Sequence, residues 1–185
     1  MMKRLLITGA AGGLGAMCRE RLTHLAETIV VSDRDGLGEA AAHEEIICCD
    51  LGDKAAVEAM VEGCDGIVHL GGQPIEHTWE VVKNANIDGI FNLYEAARKS
   101  SVTPRILFAS SNHAIGFYEQ TVRLDAKSPT KPDGLYGVSK VFGEAMASMY
   151  YDKFGIETAC VRIGACFPEP KNHRKIGRAS CRERV

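Results

Sequence analysis

The chain has 185 residues and a mass of 20.1 kDa, is 45% hydrophobic and 25% charged, and carries a formal net charge of −2. That composition fits one globular domain with a sizeable core and excludes a disordered, collagen-like or low-complexity chain. The near-neutral balance supplies no broad basic field for nucleic acid or an anionic membrane, and no apolar run approaches the roughly 20 residues of a membrane-spanning helix.

The basic start Lys3-Arg4 precedes an apolar run too short for a signal peptide. Residues 3–8 read instead as a short buried strand that ends at Gly9, followed by a helix over 13–24. Thr-Ile-Val-Val-Ser at 28–32 is a second strand, and residues 35–43, rich in Gly and Ala, are a loop or a short frayed helix. A third strand covers 45–49, and Asp53 caps a helix running through Met60. A fourth strand is expected at 66–70, a long helix at 78–99 and a fifth strand at 105–110. A long loop over 112–133 leads into a second long helix at 135–154 and a sixth strand at 157–163. Short β-rich runs alternating with helices predict a parallel sheet covered on both faces, a doubly wound α/β domain of the Rossmann type over residues 1–175.

The last fifteen residues break this pattern, holding six of the 22 basic residues without apolar periodicity. The segment 176–185 resembles translated sequencing-adapter sequence and is expected to be non-native, with the native fold continuing past about Lys175. The alternative is a natural basic tail for an acidic partner. Seven cysteines, at 18, 48, 49, 64, 160, 166 and 181, form no Cys-x-x-Cys pair. They predict reduced thiols in a cytoplasmic protein, mostly buried as small hydrophobes. Cys48-Cys49 is the sharpest metal candidate, but adjacent strand residues face opposite sides and the ligand spacing is missing, so no metal is expected.

The turn Thr8-Gly9-Ala10-Ala11-Gly12-Gly13-Leu14-Gly15 lies between the first strand and the first helix. Gly9 is expected to allow the tight turn, Gly12 to let the backbone approach a pyrophosphate, and Gly15 to let helix and strand pack closely. The helix N-terminus then offers free N–H groups and partial positive charge to the phosphates. Asp33, at the end of the second strand, suits a carboxylate that accepts hydrogen bonds from the adenosine ribose and repels a 2′-phosphate, so NAD is favoured over NADP. Arg34 is the opposing signal.

Tyr136-Gly137-Val138-Ser139-Lys140 opens the second long helix, and its i,i+4 spacing puts phenol and ammonium on one face. A lysine charge beside the phenol is expected to lower its pKa, making Tyr136 a base for a substrate hydroxyl. Ser110-Ser111-Asn112-His113 follows the fifth strand, where a doubly wound sheet carries its ligand site, and a serine there can polarise the same oxygen. His69, at a strand end beside two glycines, reads as structural. His113 reads equally as a loop-bonding residue or as a ligand-facing one.

The glycine turn, the acid after strand two, Asp50-Leu51, His69-Leu70-Gly71-Gly72, Asn86, Ser111 and Tyr136/Lys140 together resemble the extended short-chain dehydrogenase/reductase family over residues 3 to about 174. The resemblance implies Ser111, Tyr136 and Lys140 as catalytic, with Asn86 structural or relaying protons. It implies NAD held by Gly9, Gly12, Gly13, Leu14, Gly15 and Asp33, by Asp50 and Leu51 at the adenine, and by Leu70, Gly71 and Gly72 along the cofactor. Asn86, Tyr136, Lys140, Ile163 and Cys166 complete that set, Lys140 also holding the nicotinamide ribose.

Within the family, Gly66-Ile-Val-His-Leu-Gly-Gly72, Asn92-Leu-Tyr-Glu-Ala-Ala-Arg98, Phe108-Ala-Ser-Ser-Asn-His113, Asp133-Gly-Leu-Tyr-Gly-Val-Ser-Lys140 and Val161-Arg-Ile-Gly164 are most similar to the uronate dehydrogenase branch. That branch oxidises the C1 hydroxyl of cyclic galacturonate or glucuronate to a lactone. The resemblance implies a sugar-acid substrate bound by Gln73, Ser111, Asn112 and His113, with Arg174 on the carboxylate. Pro74 and Ala165 stand where that branch carries serine, so a related sugar or sugar acid stays open. Two other readings stay open: a nucleotide-sugar epimerase or dehydratase, which needs a larger C-terminal substrate domain, and an inactive dinucleotide-binding fragment. Val138, Phe142, Ala145 and Met149 mark one stripe, and Leu135, Val141, Met146 and Tyr150 fill neighbouring positions, an apolar face broader than a single core-facing stripe; a wide core contact is one reading of it, and the expected one is a homo-oligomer built on the long helices.

Overall fold

A computed structural model describes residues 1–164 of the chain. Ala165, Cys166, Arg174 and the expected tail at 176–185 lie outside the described residues. The strands are β1 (Met2–Thr8), β2 (Ala26–Asp33), β3 (Glu44–Cys48), β4 (Gly66–His69), β5 (Arg105–Ser111) and β6 (Thr158–Ile163). All pair in parallel in the order β3-β2-β1-β4-β5-β6. The helices are α1 (Gly13–Arg21), α2 (Lys54–Val61), α3 (Trp79–Val82), α4 (Gly89–Lys99) and α5 (Leu135–Phe154).

The chain runs outward from β1 through β2 to β3, then returns to lay β4 on the other side of β1. This reversal parts the connections above β1 and β4 and opens a crevice at their C-terminal ends. The register puts Thr8 opposite both Ser32 and His69, so the turns leaving β1, β2 and β4 emerge side by side. The Leu5-Leu6-Ile7 run of β1 is apolar without alternation because both of its faces are covered. Leu6 packs with Val30, Met60, Ile67, Leu93 and Phe108 on one face, while Leu5 and Ile7 pack with Ile29 and Val31 on the other.

Several boundaries differ from the sequence expectation for local reasons. α1 stops at Arg21, where the chain turns back through the Leu25 N–H to Leu22 carbonyl bond. Residues 35–43 hold no helix; Gly36 and Gly38 both take positive φ there. The expected 78–99 helix is continuous but not uniform: a π-helical stretch, Lys83–Asp88, separates α3 from α4. The 112–133 loop opens with a 3-10 turn, Asn112–Ile115, and doubles back through Lys131 N–H to Ala114 O and Phe117 N–H to Lys131 O. Asp53 caps α2 as expected, accepting from Ala55 and Ala56 N–H at 3.0 and 3.1 Å.

The thiols depart from expectation as well. Cys49 and Cys64 are buried and Cys18 is half-buried, but Cys48 and Cys160 are exposed. Among the described residues, no helix is long and apolar enough to cross a membrane.

Candidate active site

The turn after β1 is held by backbone proximity that leaves no room for a side chain at Gly9 or Gly15. Gly9 has φ +68°, and a Cβ there would sit 2.8 Å from both Gly71 N and Leu70 C. A Cβ on Gly15 would lie 2.1 Å from the Gly9 carbonyl oxygen and 2.6 Å from Ala10 Cα. α1 therefore packs directly on the turn. Gly12 is its extended N-cap and supplies no capping side chain, so the first N–H groups of α1 stay available to an anion.

Asp33 closes the turn from the side. Its Oδ2 accepts from Ala11 N–H at 3.1 Å and its Oδ1 from Arg34 N–H at 2.8 Å. Asp33 and Arg34 line one cavity of about 330 Å³ together with Thr8, Gly9, Asp50, Leu51, Gly71 and Gly72. Asp50 is fixed by Gly52 N–H (2.8 Å), and the Leu51 carbonyl by the Asn92 amide (2.9 Å). The shape and chemistry fit a dinucleotide: a glycine-rich turn and an uncapped helix for phosphates, a carboxylate for a ribose, and an apolar wall at Leu51 for a flat base.

A second cavity, of about 430 Å³, shares Gly9, Gly72 and Gln73 with the first. Its walls bring together Gly12, Gly13, Leu14, Gly15, Leu70 and Ile163 with Ser111, Asn112, His113, Tyr136 and Lys140. Residues separated by more than 130 positions thus meet where β1, β4, β5 and β6 end. Pro74 also lines this cavity.

Lys140 is 7% exposed; its Nζ donates to the Ala109 carbonyl at 2.9 Å and lies 5.1 Å from the Phe108 ring and 5.5 Å from the Tyr136 ring. Burial lowers its pKa to about 8. Tyr136 departs from the sequence expectation: burial holds its phenol above the ordinary tyrosine value, and only a hydrogen bond with the Ser111 hydroxyl acts the other way. In this state desolvation outweighs any help from the ammonium. Ser111 is buried, donates to Asn112 Oδ1 at 3.2 Å and accepts from His113 N–H at 3.2 Å.

His69 is buried, pairs with the Thr8 hydroxyl at 2.7 Å and stacks on Phe108 at 5.9 Å. Burial, reinforced by the Lys140 charge, pushes its pKa down to about 3. Thr8 Oγ1 also accepts from Gly71 N–H at 3.0 Å, tying the β1 and β4 turns together. His113 meets Asp133 through Nδ1, at 2.9 and 3.0 Å from the two carboxylate oxygens, and sits edge-on to the Tyr136 ring at 5.5 Å.

Asn86 stands behind the cavities, not in their lining. Its Oδ1 accepts from Gln73 N–H at 2.7 Å, and its Nδ2 donates to Gln73 O at 3.1 Å and Ser139 Oγ at 2.9 Å. Ser139 Oγ in turn donates to the Tyr136 carbonyl at 2.7 Å. Ser139, Asp133, Asn92 and Glu76, whose carboxylate takes the first N–H groups of α5, do not follow from the sequence. Each acts through a contact between distant segments, and no local spacing marks it.

The NAD dependent epimerase/dehydratase family matches residues 5–181. The uronate dehydrogenase of Agrobacterium fabrum is 59% identical to this chain, over 95% of the chain and 66% of the relative. The crystal structure of glucuronic acid dehydrogenase from Chromohalobacter salexigens superposes with a TM-score of 0.91 at 56% identity, over 94% of this chain and 65% of that one. A mutant uronate dehydrogenase from Agrobacterium tumefaciens complexed with NAD gives the same TM-score at 59% identity, again over 94% and 65%. The chain spans about two thirds of the length of these relatives.

Proposed function

The chain belongs to the NAD dependent epimerase/dehydratase family, and from that premise we propose that it oxidises the C1 hydroxyl of a cyclic hexuronic acid, galacturonate or glucuronate, to the lactone with NAD. The observation that carries the reading is that the two cavities share Gly9, Gly72 and Gln73 in their walls, with Ser111, Tyr136 and Lys140 lining the second. The similarity to uronate dehydrogenases supports the sugar acid as substrate.

The backbone of Gly9 and Gly12 and the start of α1 would hold the pyrophosphate, Asp33 the adenosine ribose, Asp50 and Leu51 the adenine, and Lys140 the second ribose. NAD, when bound, supplies the acceptor for the hydride that leaves C1. Tyr136 takes the proton from the C1 hydroxyl, and Ser111 steadies the same oxygen. Lys140 favours the phenolate once charged, offsetting the burial that holds the phenol protonated. Asn112, His113 and Gln73 would meet the sugar hydroxyls. Arg174 would pair with the carboxylate, and Cys166 would join Ile163 beside the cofactor. Pro74 offers the sugar no hydroxyl. The free thiols Cys48 and Cys160 suit a reducing, cytoplasmic setting, and the apolar outer face of α5 suits a homo-oligomer.

The test is NADH formation with galacturonate and glucuronate, on this chain and on a form extended with the remaining third of a relative. Turnover that falls by about a hundredfold or more in Tyr136→Phe is expected. Turnover of nucleotide sugars alone would move the assignment to an epimerase or dehydratase, and NAD binding without turnover in both forms would leave only a binding fragment.

A further inference from the structure

α5 carries the base of the proposed reaction in its first turn, yet its own N-cap, Gly134, has no side chain to cap it. The cap comes from 59 residues upstream. Glu76 Oε1 accepts from Leu135 N–H and Oε2 from Tyr136 N–H, both at 2.9 Å. A carboxylate there satisfies two orphan donors and meets the positive end of the helix dipole. Gly134 makes the approach possible, because a Cβ on it would lie 2.5 Å from Glu76 Oε2.

The other end of the same loop is fastened to the same turn. The Gln73 backbone exchanges two hydrogen bonds with the Asn86 side-chain amide, that amide donates to the Ser139 hydroxyl, and the hydroxyl donates to the Tyr136 carbonyl. The residue bearing the phenol is therefore gripped at its N–H by Glu76 and at its C=O by Ser139, both grips leading back to the loop after β4. Gln73 and Pro74 of that loop line the cavity into which Tyr136 faces.

We propose that Glu76 is a positioning residue for Tyr136, locking the base to the loop that walls the substrate cavity; the catalytic part of this inference rests on the dehydrogenase reading above. Displacement of the phenol by about 1 Å is enough to cost up to a hundredfold in rate. Glu76→Ala is expected to lower kcat by about ten- to a hundredfold while KM for NAD moves by less than about twofold, because Glu76 does not touch the Asp33 side of the cleft. Glu76→Gln, which keeps one acceptor, recovers part of kcat. Gly134→Ala, whose new methyl evicts Glu76, reproduces the loss in the native background and adds little to Glu76→Ala.

The clamp has a readout that needs no turnover. In the native chain the Leu135 and Tyr136 amides, although in the first turn of a helix, are expected to exchange slowly with deuterium, and at least about tenfold faster in Glu76→Ala. A folded Glu76→Ala variant with unchanged kcat would overturn the positioning role, leaving a cap that serves stability alone. Fast exchange of both amides in the native chain would overturn the clamp itself. A native chain inactive on uronates would overturn the dehydrogenase reading without touching the clamp, which the exchange experiment then decides.

Discussion

Lys140 and His69 both meet the Phe108 ring, Lys140 also faces the Tyr136 ring, and burial acts on all three titratable groups. The cationic forms of the lysine and histidine and the anionic form of the phenol are each disfavoured. His69 links this to stability. Its folded pKa, about 3, lies below the ordinary 6.5, so the unfolded chain binds the proton more readily. The contribution is full above about pH 6.5 and is lost as pH falls toward 3, at a limiting slope of roughly 1.4 kcal/mol per pH unit. Urea unfolding between about pH 7 and 4 should therefore show a steeper loss in the native chain than in His69→Gln. Asp33 bears on a different choice, the one between NAD and NADP. Asp33→Ala removes the proposed ribose acceptor together with the bond to Ala11, leaving Arg34 at the cavity wall. The NAD-to-NADP ratio of kcat/KM should fall by about tenfold or more; an unchanged ratio would count against the carboxylate as discriminator.

At this scale the motif residues were legible because their spacing is itself chemistry. Tyr136 and Lys140 one helical turn apart, and Ser111 at a strand end, could be singled out together before the fold was known, and they line one cavity. Glu76 and Asp133 were not legible: their partners are 59 and 20 residues away, and an isolated acid in a loop looks like any solvated charge. The protonation of Tyr136 escaped for a related reason, since desolvation depends on what the rest of the chain packs around the ring.

Among the elements, the strands follow from their apolar runs to within one or two residues, because a buried parallel strand leaves little freedom in its composition. The π-helical stretch Lys83–Asp88 does not. Apolar residues from Val82 to Ile90 and Leu93 read as one ordinary helix. The stretch carries Asn86, whose side chain bonds the Gln73 backbone and Ser139, in keeping with the habit of π segments to occur at functional sites. Glycines in the first turn can be ranked the same way. Gly15→Ala would drive its methyl into the Gly9 carbonyl, and a backbone atom cannot swing aside. Stability is expected to drop by about 1–3 kcal/mol in chemical denaturation, with NAD binding weakened alongside. Gly13→Ala meets nothing within 4 Å and should unfold close to the native midpoint.

For the whole molecule, the stripe on α5 divides as its breadth suggests. Met146 and Tyr150 sink into the core, whereas Val138 is 44% and Met149 37% exposed, and Phe91 of α4 is exposed too. Apolar positions facing outward from two long helices suit a second copy of the chain. Light scattering of the intact protein should give a dimer or larger assembly, and Met149→Glu should reduce that mass; a monodisperse native monomer would refute the oligomer.

The pairing of His113 with Asp133 carries one more implication. A ring nitrogen facing a carboxylate carries the hydrogen, so an uncharged imidazole keeps its lone pair on Nε2, the atom left over for a visitor. Under the proposed function, a sugar at that edge would give a proton to the bond and not take one, which favours an alcohol over a carbonyl or an ether at the matching ring position. Asp133 would then take part in choosing among sugars through the ring it orients.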